Sequence, residues 1–141
     1  MNIKIHYDKI TFRIHKTGEI KKFIEKVIMY EKKMPGDLNF IFTNDETELD
    51  INRRFLRHDY YTDIISFDYS AGNIISGEIY ISIETLKRNA AQYHVKVNEE
   101  VMRVMIHGVL HLCGYRDNSK INRDVMFGKQ EKILKEFRKE L

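Results

Sequence analysis

With 141 residues, 43% of them hydrophobic and 32% charged, the chain falls in the size and composition range of one globular domain with a real core. No apolar run is long enough for a transmembrane helix, and a lone cysteine, Cys113, excludes an internal disulfide framework. The formal net charge of +3 is compatible with a polyanionic partner without requiring one.

The N-terminal "MNIKIHYDK" alternates apolar and polar side chains and predicts a first strand. It lacks the basic-then-apolar pattern of a leader, and with the single cysteine this predicts a cytoplasmic protein. Ile20, Phe23, Ile24, Val27 and Ile28 follow the spacing of a helix with one buried face. Pro35, the only proline, falls in "MPGD" and predicts a turn before the strand "LNFIF". "NDETELDINRRFLRHD" predicts a helix opened by Asn44 or Asp45, with acidic residues early and arginines late, as the helix dipole favours. "TDIISF" and "GEIYISI" predict strands joined by the loop "DYSAGNIIS". Helices are expected over about 84–95, 98–113 and 119–139, the last packed through Ile133, Leu134 and Phe137. No repeat or linker divides the chain, so the expectation is a single layered domain, α+β or α/β, over residues 1–141 with four strands and about five helices.

Between Val101 and Leu112 nearly every side chain is apolar, the mark of a helix with protein on all sides. The polar exceptions are Arg103, His107 and His111, each four residues from the next, so they form one narrow stripe on a buried cylinder. A solvated face would be wider and richer in Lys and Glu; this stripe suits the wall of a cleft. A lone histidine here would read as a core residue satisfied by a backbone carbonyl. Two imidazoles at i and i+4, with Cβ atoms about 5–6 Å apart, can instead share one ion at about 2.0–2.1 Å. Gly114 suits the left-handed conformation that ends helices, which lets the chain turn back and Asp117 offer a third ligand. Three protein ligands leave a coordination position open, as in catalytic zinc sites, and the same donors suit another divalent transition metal such as Fe(II). The spacing H-x3-H-x5-(H/D) resembles the metzincin peptidases, but Gly108 stands where their glutamate base would follow the first histidine.

"HGVLHLCGYRD" resembles the HGxLHLxGYDH signature of the YbeY family of metal-dependent endoribonucleases. "INRRFLRHDYYTDIISF" resembles the family's LNxxYRxxDxPTDVLSF segment and "SGEIYIS" its LGDIxIS strand, in the same order, so the resemblance spans roughly residues 38 to 117. It implies a single-strand-directed endoribonuclease of ribosomal RNA maturation that hydrolyses phosphodiesters with a metal-activated water. It also implies a ribosomal RNA precursor as partner, the small ribosomal subunit as a further one, and neither membrane nor nucleotide cofactor. The combined reading is a mostly parallel four-stranded sheet with one antiparallel edge strand and a metzincin-like metal helix carrying His107, His111 and, with the loop after it, Asp117 as ligands of zinc.

The departures from the pattern concern the site itself. Arg116-Asp117 stands for the family's Asp-His, so the third-ligand role reaches Asp117 by position, and an anionic ligand lowers the net charge of the centre. Leu56 stands at the arginine that the resemblance implies contacts substrate phosphate; Arg57 is one residue away, about 100° around a helix. Tyr61 replaces the proline of PTD, whereas Thr62 and Asp63 are retained, which places Asp63 among the candidate catalytic residues. Glu78 replaces the family's aspartate on the strand flanking the cleft. Glu100, toward the same helix face as His107, is a candidate proton acceptor, and Arg103 a candidate phosphate contact or an ion-pair partner of Glu99 or Glu100. Cys113 reads as a core residue and His58 as a surface one. Two other readings stay open: a zinc metallopeptidase-like hydrolase, opposed by Gly108, and a non-catalytic ribosome-associated factor stabilised by a metal.

Overall fold

A computed structural model of the chain describes residues 2–56 and 64–140. Strand β1 (Asn2–Tyr7) runs parallel to β2 (Met34–Thr43), and β2 runs parallel to β4 (Ile74–Ser82). Strand β3 (Ile64–Asp68) closes the sheet antiparallel to β4, so the order is β1-β2-β4-β3. This is the expected α+β sheet, mostly parallel with one antiparallel edge strand. Helix α1 (Thr17–Tyr30) connects β1 to β2, and α2 (Asp45–Ile51) with a following π-helical turn (Asn52–Leu56) leaves β2. Helices α3 (Ile83–Gln92), α4 (Val97–Leu112) and α5 (Lys120–Glu140) follow β4.

The period of two along the strands makes one core. Leu38, Phe40 and Phe42 of β2 and Ile75, Ile79 and Ile81 of β4 share a buried face. Onto it pack α1, through Ile20, Phe23, Ile24, Val27 and Ile28, and α4, through residues such as Met105, Ile106 and Val109. Each such side chain contributes roughly 1.5–3 kcal/mol by leaving water. Helix α4 also contacts α3, α5 and β3, which is why it is apolar nearly all round. It sits close to the sheet because Gly108 has no side chain: a Cβ there would stand 2.9 Å from Ile79 Cδ1 and 3.1 Å from Ile79 Cγ2. The carboxylate that a metzincin carries after its first histidine would therefore be driven into Ile79.

Several boundaries differ from the sequence expectation, each for a local reason. Pro35 lies inside β2 rather than in a turn; it is the strand's second residue, before pairing with β1 begins at Asp37, and a register shift separates it from Leu38. Gly36 allows the close approach this shift needs, since a Cβ would lie 2.3 Å from Ser76 Oγ. The expected loop over 68–76 shortens because Ala71 bridges Ile74 and Gly72 takes φ 59°. Helix α3 ends at Gln92 rather than near 95, closed by His94 in the left-handed region at φ 57°, a position where glycine is the usual signal. Asn44, not Asp45, caps α2 by accepting from Thr47 N. Asp45 instead accepts from the hydroxyls of Ser82 and Thr85 and pairs with Arg88, tying α2 to α3. The predicted helix over 44–59 gives way to the π-helical turn at Asn52, and its last three residues lie outside the described residues.

Two glycines predict opposite outcomes. Gly77→Ala would place a Cβ 2.4 Å from the backbone oxygen of Phe67 and is expected to lower stability by about 1–3 kcal/mol in urea denaturation. Gly128→Ala, inside α5 with open space around it, is expected to raise stability by about 0.5–1 kcal/mol in the same measurement.

Candidate metal centre

Helix α4 ends in a turn that builds the site. Tyr115 N donates to Leu110 O and Gly114 N to His111 O, both at 3.0 Å, with Gly114 at φ 106°: this is the Schellman arrangement that satisfies the last carbonyls of a helix. The chain thereby folds back along α4. The Tyr115 carbonyl arrives 3.2 Å from His111 Nδ1, and Asp117 Oδ2 arrives 3.4 Å from His111 Nε2. The Tyr115 hydroxyl donates to Glu31 Oε1 at 2.7 Å, and Glu31 also pairs with Lys129, so the turn is anchored to α1 and α5 together.

His107, His111 and Asp117 each offer one donor atom, all within 4.8 Å of one another. The two Nε2 atoms are 3.1 Å apart, with the rings nearly perpendicular. A tetrahedral ion at about 2.0–2.1 Å from its ligands has edges of roughly 3.3–3.4 Å, close to both the Nε2–Nε2 and the Nε2–Oδ2 separations. Asp117, whose side chain is 50% exposed, has room to adjust the third edge.

The hydrogen bonds around the rings decide which nitrogen faces the site. A carbonyl oxygen only accepts, so His111 donates its Nδ1–H to Tyr115 and leaves the Nε2 lone pair inward. His107 Nδ1 lies 2.7 Å from Gln130 Oε1. The amide of Gln130 is oriented in turn by Glu131, which accepts from Gln130 Nε2 at 3.2 Å, so Oε1 must face His107 and His107 must carry its proton on Nδ1. Glu131 is held by Arg103 through a bidentate pair at 3.0 and 3.1 Å, and Arg103 also donates to Glu100 at 2.6 Å. Glu131, before all else, holds the Arg103 guanidinium above the usual arginine range. Burial alone would raise the Glu131 carboxyl; the hydrogen bonds from Arg103 and Gln130 outweigh it and keep it below the usual carboxylate value. Two imidazole lone pairs and a carboxylate oxygen thus converge without a donor among them, an arrangement that a divalent cation fits.

The structure brings together the three predicted ligands and places Glu100 and Arg103 on the same cleft, of about 600 Å³, which His107 and Asp117 also line. A second cleft of about 300 Å³ is lined by His111 and, like the first, by Asp117. Arg103 takes the ion-pair role that the sequence offered as its alternative. Glu78 accepts from the Tyr69 hydroxyl. Burial pushes the Cys113 thiol up to about 11, so it stays protonated and inert at neutral pH, in line with its reading as a packing residue. Asp63, together with Arg57, His58, Tyr61 and Thr62, lies outside the described residues.

Gln130 and Glu131 were not singled out from the sequence, although a signal was present. Met126, Ile133, Leu134 and Phe137 mark the buried stripe of α5, and Gln130, only 6% exposed, sits within it. A buried amide on an apolar stripe implies a partner.

Among known families, the one described as Endoribonuclease YbeY matches residues 2–138. A Flavobacterium psychrophilum protein named Endoribonuclease YbeY is 45% identical over 96% of this chain and 96% of its own length. A Parabacteroides distasonis protein of the same name is 41% identical over 95% of this chain and 94% of its own. A Thermotoga maritima protein solved in solution superposes with a TM-score of 0.68 at 27% identity, covering 98% of this chain and 90% of the other.

Gln130→Leu removes the acceptor that fixes His107 while keeping the side chain's volume. It is expected to weaken zinc binding by about 10- to 100-fold in competition with a chromophoric chelator. Unchanged affinity would show that Gln130 does not orient the ligand.

Proposed function

This chain belongs to the endoribonuclease YbeY family, and we propose that it hydrolyses phosphodiester bonds of single-stranded RNA at a zinc ion held by His107, His111 and Asp117. Its substrate on this reading is a ribosomal RNA precursor, met in the cytoplasm, with the small ribosomal subunit as a docking partner and no membrane or nucleotide cofactor involved. Residues 1–141 act as one endoribonuclease domain. No helix among the described residues is long and apolar enough to cross a membrane.

The observation that carries the reading is the inward-facing set of Nε2, Nε2 and Oδ2 on an open cleft, in a chain whose relatives are named endoribonucleases. Zinc bound there would act as a Lewis acid on a phosphoryl oxygen and lower the pKa of a coordinated water toward about 7. The protein's part is positional. The Gln130 and Tyr115 oxygens hold both imidazoles with Nε2 inward, and the two clefts meeting at Asp117 give a strand a path past the ligands. Glu100 and Arg103, the proton acceptor and phosphate contact suggested by the sequence, are bonded to each other, and Arg103 is bonded to Glu131 as well. We assign them the placing of Gln130, and keep Asp63, retained from the family pattern, as the candidate for a direct catalytic role. A peptidase reading loses support because Gly108 packs on Ile79 and leaves no space for a glutamate base.

The test is metal content and cleavage of a structured RNA that carries single-stranded segments by the wild type, His111→Ala and Asp117→Ala. The expected outcome is about one bound metal and cleavage in the wild type, with metal loss and a more than roughly 100-fold loss of cleavage in both variants. Cleavage that persists in both variants would contradict a metal-centred mechanism. A wild type that needs its metal to fold yet cleaves nothing would favour the non-catalytic factor.

A further inference from the structure

Resting on the RNA-hydrolase reading, we propose that Tyr93, Phe127 and Arg123 form a subsite for unpaired nucleotides beside the metal ligands, the rings stacking on bases and the guanidinium taking a phosphate. Tyr93 and Phe127 are 60% and 61% exposed, yet both line the cleft that His107 and Asp117 border. Along α5, Arg123, Phe127 and Gln130 stand at i, i+4 and i+7 and share one face. Gln130 bonds His107, and Arg123 Nη1 reaches the Asp117 carbonyl at 3.5 Å, so Phe127 is bracketed between the residues that touch the two ends of the ligand set. Tyr93 comes from the end of α3, on another wall of the cleft.

Arg103 and Arg123, both lining this cleft, differ in what they have left to offer. Arg103 is taken up by Glu131 and Glu100, whereas Arg123 pairs with no carboxylate among the described residues. A guanidinium with no carboxylate partner among the described residues, set beside exposed rings, matches a single strand, whose phosphates carry the charge and whose bases, free of a partner, present π faces of any sequence. A duplex keeps those faces stacked on each other, so the same subsite selects against it.

The experiment is an anisotropy titration of the protein as purified with two labelled strands of equal length, a hydrolysis-resistant phosphorothioate oligouridylate and its abasic counterpart. Phe127→Ala and Tyr93→Ala are each expected to weaken oligouridylate binding by roughly 5- to 100-fold and to leave abasic binding unchanged, while Phe127→Trp retains affinity. Arg123→Ala is expected to weaken both strands and to reduce the salt slope by about 0.7. Ile121→Ala, an exposed apolar change on α5 that does not line the cleft, is expected to alter neither. Wild-type affinity in the two aromatic variants, or an equal loss in Ile121→Ala, would overturn the subsite while leaving the nuclease reading standing. A wild type that binds neither strand would overturn both.

Discussion

His107 and His111 point their Nε2 lone pairs at each other across 3.1 Å, and Asp117 adds a carboxylate oxygen 3.4 Å from one of them. Acceptors held that close repel unless positive charge lies between them, and the protein spends structure on keeping them there. Both Nδ1 atoms are committed as donors, one to a part-buried backbone carbonyl and one to a buried amide, so neither ring can turn its N–H inward without abandoning its partner. Leaving such a partner unsatisfied costs about 1–3 kcal/mol. The convergence is therefore a property of the surrounding network as much as of the ligands.

That network explains features of the fold that would otherwise look unrelated. Helix α4 is apolar over most of its surface because the sheet, α1, α3 and α5 surround it, and the polar stripe of Arg103, His107 and His111 is bonded along its length: Arg103 to Glu131 and Glu100, His107 to Gln130, His111 to Tyr115. Gly108 lets the helix approach β4, and Gly114 lets the chain reverse after it. Helix α5 reaches the site with a buried amide from its apolar stripe, and Glu31 fastens the Tyr115 turn to Lys129 on the same helix. Removing one member of a half-buried charged set strands the others, which is the reason to treat Arg103, Glu131 and Gln130 as one unit.

Much of this was legible in the sequence, and the unread parts have identifiable causes. The i, i+4 histidines on an apolar helix, the helix-ending Gly114 and the following Asp117 led directly to three candidate ligands that lie together in space. The alternation in β1 and the β-branched and aromatic runs of β3 and β4 marked strands, and the family resemblance led to the parallel sheet with its antiparallel edge. What escaped were long-range pairings and unusual backbone. Gln130 meets His107 across 23 residues, and no local pattern names its partner. Pro35 looked like a turn because its strand begins before the partner strand does, and α3 stopped early on a left-handed histidine rather than a glycine. The π-helical turn at Asn52–Leu56 closes larger rings than an α-helix, so helical spacing read through Leu56 toward Arg57 loses its register there.

The claim at the centre is that these three side chains share one cation. Anomalous scattering measured on either side of the zinc absorption edge, from crystals grown with zinc, tests it most directly. The account predicts a single strong peak about 2.0–2.1 Å from Nε2 of His107 and of His111 and about 2.0–2.2 Å from an Asp117 oxygen. A map with no peak between the two imidazoles, or with Asp117 turned to solvent and zinc bound elsewhere, would contradict it.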